Sequence, residues 1–204
     1  MAEVAALAKA IAQQHTKLDV LINNAGVFRV AEPTTIGGLD VRFAVNTLAP
    51  YLLTQRLLPL LEKRGRVINV SSAAQSPVNT EALAGRLQIP DALEVYAQSK
   101  LALTMWSIRL SQALKIKGPA IIAVNPGSML GSKMVKEGFG VAGKDLAKGV
   151  DILCRAALTE EFSAASGQYF DNDSGQFTTP HPDALNPQKV TDVIRVIEGI
   201  LEDL

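Results

Sequence analysis

A tyrosine and a lysine stand four residues apart in Tyr96-Ala97-Gln98-Ser99-Lys100. On a helix that spacing stacks the two side chains on one face, one turn apart. A phenol titrates near 10, too high for efficient proton exchange at neutral pH, and a neighbouring cation favours the phenolate. The pair can therefore do general acid–base chemistry, although the same spacing also arises as a solvated surface pair. Three other segments offer small or polar groups: Asn23-Asn24-Ala25-Gly26, Ser71-Ser72 and Asn125-Pro126-Gly127. Each directly follows a short, β-branched apolar run.

Those runs are the strands that must position the chemistry. Leu18–Ile22, Arg66–Val70 and Ala120–Val124 read as strands, and Gly167–Phe170 as a fourth, shorter one. Helical patterns lie between them: 3–14 with apolar positions at Val4, Leu7, Ala8 and Ile11, then 38–63, 92–116, 144–158 and 187–203. Gly65 is expected to stop the second. Residues 73–91 and 128–143 read as loops, the latter rich in Gly, Met and Lys and suited to a mobile lid. Strands alternating with helices of this length call for βαβ units and an α/β fold with a parallel sheet covered on both faces. In such sheets ligands bind beyond the carboxyl ends of the strands. Topology alone therefore directs attention to the three polar segments.

Asn46 and Pro50 lie inside the helical stretch 38–63. Proline has no N–H, so the carbonyl of Asn46 loses its helical partner and a kink is expected there.

The 204 residues suit one domain, and 48% hydrophobic residues suffice for a core. Twenty basic residues balance twenty acidic ones, which argues against a nucleic-acid partner and against disorder. The single cysteine, Cys154, excludes an internal disulfide and a cysteine-cluster metal site; it is expected to be a small core residue. His15 and His181 have no ligand partner in the pattern and read as solvated, so no metal is expected. Trp106 reads as packing. Asp171-Asn172-Asp173-Ser174-Gly175 is similar to a calcium loop, but its twelfth position is Pro182 rather than Glu. No apolar run approaches the roughly 20 residues of a membrane span. The expectation is a soluble, cytoplasmic domain.

Taken in order, LDVLINNAG (18–26), Asn46 in VRFAVNTLAPYLLT, RVINVSS (66–72), YAQSK (96–100), VNPG (124–127) and SGQYF (166–170) resemble the short-chain dehydrogenase/reductase family across nearly the whole chain. The resemblance implies a Rossmann-like, doubly wound parallel sheet and an NAD(P)-dependent oxidoreductase interconverting an alcohol and a carbonyl. It implies Tyr96 as general acid/base, Lys100 as the residue that lowers the tyrosine pKa and binds the nicotinamide ribose, and Ser72 as the group that holds the substrate oxygen. Asn46 would hold a water linked to Lys100, and Ser71 would be structural. Asn24, Ala25, Gly26, Pro126 and Gly127, with Tyr96 and Lys100, would contact the cofactor. Twenty-three residues separate Ser72 from Tyr96, more than is usual in the family. With NTLAPYLLT and YAQSKLAL this resembles the retinol-dehydrogenase and WW-domain-oxidoreductase branch. That branch implies a bulky apolar substrate and slightly favours NADP. Gly131 and Ser132 stand where the family commonly has a cofactor-contacting threonine.

No G-x-x-x-G-x-G precedes residue 20, where the family has a phosphate-holding turn. The expectation is a single domain over 1–204 whose N-terminal strands are missing. Three readings stay open: part of a working oxidoreductase, a short non-catalytic form acting as a binding or scaffold protein, or a chain completed by a partner. The apolar surplus of 38–63 and 92–116 predicts a helix-paired homodimer.

Overall fold

A computed structural model describes residues 1–202. Helix α1 (Ala2–Gln14) leads into strand β1 (Leu18–Asn23). Asp40 caps the next helical stretch by accepting the Arg42 N–H. That stretch runs through α2 (Val41–Phe43), a π-helical segment (Ala44–Leu48), α3 (Ala49–Leu57) and a 3₁₀ turn (Leu58–Leu60). Strand β2 (Leu61–Val70) follows. The expected helix 38–63 is thus broken and shorter. Pro50 has no N–H for the α-register bond, so the helix widens and Ala49 N–H reaches back to Ala44 O. Pro59 tightens the last turn, and the chain is already extended at Leu61. Gly65 therefore lies buried inside β2, just after the exposed residues 62–64 of an irregularity between the pairs Leu18–Leu61 and Val20–Arg66.

Helix α4 (Thr80–Leu83) sits in the loop after β2, capped by Asn79. The long helix α5 (Ala92–Leu114), capped by Asp91, leads to β3 (Ala120–Asn125). Helix α6 (Lys133–Phe139) interrupts the expected 128–143 loop. Helix α7 (Ala147–Leu158), the short strands β4 (Tyr169–Asp171) and β5 (Gln176–Thr178), and α8 (Pro187–Glu202) complete the chain. The expected helix end at 203 lies outside the described residues.

The sheet runs β1-β2-β3-β4-β5, parallel through β4, with β5 returning antiparallel. Successive side chains on a strand face opposite ways. Val67 and Ile121 enter one core with Phe43, Leu48, Leu101, Met105 and Trp106. Their neighbours Ile68, Ile122 and Val124 enter a second core with Ile152 and Ala156 of α7. Helices thus flank both faces, as the apolar strands require. Trp106 is fully buried and meets Tyr51 edge-on at 5.5 Å. Cys154, expected in the core, is exposed, because the buried stripe of α7 is Gly149, Ile152, Ala156 and Ala157. The outer side of α5 packs on α8, whose Val190, Val193 and Ile197 are buried. Part of the apolar surplus of α5 that suggested a helix-paired dimer is covered by α8 within the chain.

Candidate active site

The carboxyl ends of β1, β2 and β3 open into a cleft of about 800 Å³. Asn24, Ala25, Gly26, Ser72, Tyr96, Lys100, Pro126 and Gly127 all line it. Segments far apart in sequence meet there because three parallel strands end at one level. The β1–β2 register runs Asn23 to Asn69, and the β2–β3 register Val70 to Val124.

Asn46 alone of the expected set lies behind the wall. Its side-chain oxygen accepts the Val27 N–H (2.8 Å), and its amide donates to Val27 O and Ser99 Oγ (both 2.9 Å). It ties the turn after β1 to the helix carrying Tyr96 and Lys100. The widened π turn aims it there, and Pro50 is buried rather than bending a surface helix.

Lys100 Nζ is buried and donates to Val70 O at 2.7 Å. Burial brings its pKa down to about 8. The ammonium lies 5.8 Å from the centre of the Tyr96 ring. Burial raises the Tyr96 hydroxyl above the ordinary phenol value, and the nearby Ser72 side chain offsets part of that rise. The direction differs from the sequence expectation of a lysine-lowered phenol. Lys100 directs its hydrogen bond to Val70 O, and desolvation dominates at Tyr96. Ser72 Oγ accepts the Ala74 N–H at 3.1 Å, which leaves its own proton for the cleft. Ser71, expected to be structural, is buried and pairs with Thr104 Oγ1 at 2.7 Å.

A β-carbon added at Gly26 would sit 3.5 Å from both Lys100 Nζ and Asn46 Oδ1. The missing side chain leaves a shallow cradle beside the buried amine. A hydroxyl-bearing group such as a ribose fits that cradle, so the residues present suit the nicotinamide half of a dinucleotide.

A family model described as short chain dehydrogenase matches residues 1–140. The chain belongs to the short chain dehydrogenase family. The human relative retinol dehydrogenase 13 is 31% identical over 179 residues, covering 79% of this chain and 54% of its own length. Human dehydrogenase/reductase SDR family member 12 is 34% identical over 204 residues, covering 94% of this chain and 63% of its own. The chain thus spans little more than half of the first of these relatives, and both fit the retinol-dehydrogenase-like branch. Among solved structures, a landomycin C-6 ketoreductase with bound NADP and rabelomycin superposes at TM-score 0.57 with 28% identity, over 83% of this chain and 66% of that one. A protein from Mycobacterium paratuberculosis superposes at TM-score 0.77 with 24% identity, over 96% and 71%, a likeness of fold.

Residues to which sequence reasoning gave no role also shape this cleft of the short chain dehydrogenase fold. Phe28 is buried, meets Tyr96 edge-on at 5.3 Å and stacks on Phe139 of α6 at 5.2 Å. Helix α6 is held to the strand ends through it, with Ser132 capping its start and Gly140 (φ 69°) its end. The Asp171–Gly175 turn joins β4 to β5 and fastens the loop after β3. Asn125 Nδ2 donates to Asp171 (2.7 Å) and Asp173 (2.9 Å), and Asn172 Nδ2 donates to Pro126 O (2.9 Å). Burial opposes ionisation of Asp173, yet hydrogen bonds from Ser128 and Asn125 and the nearby Lys144 hold its carboxyl below the usual range. His181 accepts the Asp183 N–H and starts a turn, while His15 is exposed. No group of three or more metal-ligating side chains occurs among the described residues, and none of its helices is long and apolar enough to cross a membrane.

Proposed function

We propose that this chain carries the proton-transfer half of an NAD(P)-dependent oxidoreductase that interconverts an alcohol and a carbonyl. The observation that carries the reading is the meeting of Tyr96, Ser72 and Lys100 in one cleft. Tyr96 gives its proton to a carbonyl oxygen, or takes one from an alcohol. Ser72 donates a hydrogen bond to the same oxygen and stabilises the charge that develops on it. A nicotinamide cofactor, when bound, supplies or accepts the hydride. Lys100 holds the ribose hydroxyls beside the Gly26 cradle, with Asn24, Ala25, Pro126 and Gly127 around it, and its charge favours the phenolate once a bound group draws it from Val70. Asn46 positions the turn that carries Gly26. NADP is the favoured form, because solved relatives such as the ketoreductase hold it. The exposed or half-buried Leu93, Met129, Phe139, Leu146 and Val150 line the mouth of the cleft and suit a bulky apolar substrate.

Titration with NADPH and NADH, followed by thermal shift, tests the reading. The melting temperature is expected to rise with NADPH, and Gly26→Val, which fills the cradle, to abolish the rise. No shift with either nucleotide would sink the oxidoreductase reading and leave the non-catalytic module.

A further inference from the structure

Ser72 leaves the sheet just where it must be held. The last ladder bond of β2 is made by Ser71 N–H to Val124 O, at 2.8 Å. Beyond it, two side chains take over. The Tyr169 hydroxyl, 97 residues away on β4, donates to Ser72 O at 3.0 Å. Gln75 Nε2 donates to the same oxygen at 2.9 Å. Two donors on one carbonyl fix the plane of the Ser72–Ala73 peptide. That plane helps set the direction of the Ser72 Cα–Cβ bond, and hence where its hydroxyl lies in the cleft that Tyr96 also lines. A tyrosine hydroxyl buried for packing needs only some acceptor. Here the acceptor is the backbone of the residue that faces the acid/base.

We propose that Tyr169, with Gln75, is a positioning residue for Ser72, acting through the Ser72 carbonyl to keep the Ser72 hydroxyl on Tyr96. The inference rests on the Ser72–Tyr96 pairing of the proposed function and adds the element that maintains it. Around Tyr96, the charged side chains lining the cleft are Lys100 and Lys133, while Glu94 on the same helix is engaged by Ser76 and Gln98. Asp171 and Asp173 lie near Tyr169, not in that lining. Loss of the Ser72 contact is therefore the change that a Tyr169 variant transmits to Tyr96.

The chain has three tyrosines, few enough to follow one by one. Incorporation of 3-fluorotyrosine lowers their titration into an accessible range, and fluorine NMR reads each midpoint, assigned by Tyr→Phe variants. Ser72→Ala is expected to raise the Tyr96 midpoint. Tyr169→Phe is expected to raise it in the same direction by about half a pH unit, the scale of one modest hydrogen bond. Gln75→Met, which leaves the core untouched, serves as a second variant and is expected to do the same. An unchanged Tyr96 midpoint in both Tyr169→Phe and Gln75→Met, with Ser72→Ala still shifting it, overturns the positioning role and leaves the proposed function standing. A midpoint that Ser72→Ala also fails to move overturns the pairing itself.

Discussion

Lys100 has a measurable signature of its own. Its unfolded-state pKa is that of an ordinary lysine, whereas burial lowers the folded value to about 8. Below about pH 8 the folded chain bears the whole cost of a buried ammonium, on the order of 3 kcal/mol. Between about 8 and 10 the unfolded chain holds more protons, so stability climbs with pH. Above 10 the trend reverses, because Tyr96, Tyr51 and Tyr169 are all raised by burial and favour the folded state only while protonated. Urea denaturation at pH 7 and pH 9.5 is expected to show the higher midpoint at 9.5, and Lys100→Met to remove most of the difference. Equal midpoints in the unsubstituted chain would contradict it. Tyr96, Lys100 and Ser72 were legible as residues because short local motifs carry them. Phe28 and Tyr169 were not, since each earns its place by a contact across at least 68 residues of chain. Sequence spacing likewise does not reveal that the Lys100 ammonium donates its hydrogen bond to Val70 O.

At the level of elements, β1, β3 and most of β4 followed from β-branched runs, but β2 begins five residues earlier than read, the short β5 was missed, and helices shorter than two turns escaped. Periodicity cannot register in four residues of α4 or seven of α6. Capping could have found them: Asn79 and Ser132 each accept N–H groups of the first turn, and Gly140 closes α6. The broken helix was half legible. Pro50 predicted a disturbance at Asn46, and the π turn is its form. Helix α6 offers a test of how the 128–143 segment is seated. A β-carbon on Gly138 would lie 2.6 Å from the Phe28 ring, so the two must pack without one. Gly138→Ala favours helix by about 1 kcal/mol in an exposed setting, yet here it is expected to lift α6 from Phe28. Limited trypsin digestion is expected to cleave at Lys133 and Lys136 several-fold faster in that variant. An unchanged digestion rate would show that α6 does not rest on Phe28.

For the molecule as a whole, the α/β class and the parallel sheet were plain from alternating strands and helices. Which surface the apolar helices would cover was not. The apolar surplus of α5 suggested a second copy of the chain, whereas α8 covers part of it from within: Tyr51 donates to Glu198 at 2.9 Å, while Val190, Val193 and Ile197 close over the core. Each such side chain contributes about 1.5–3 kcal/mol by leaving water. The same arrangement leaves β1 at the edge of the sheet, with Ile22 exposed. It also leaves the three strand ends open to a common cleft, where the proposed chemistry is placed. Turnover of a bulky apolar aldehyde, followed by the absorbance of NADPH, compares the unsubstituted protein with Tyr96→Phe. The unsubstituted protein is expected to consume NADPH, and Tyr96→Phe to lose that activity by on the order of 10²-fold or more while binding NADPH equally well. Equal turnover in the two proteins would contradict the assignment of Tyr96 as the proton donor.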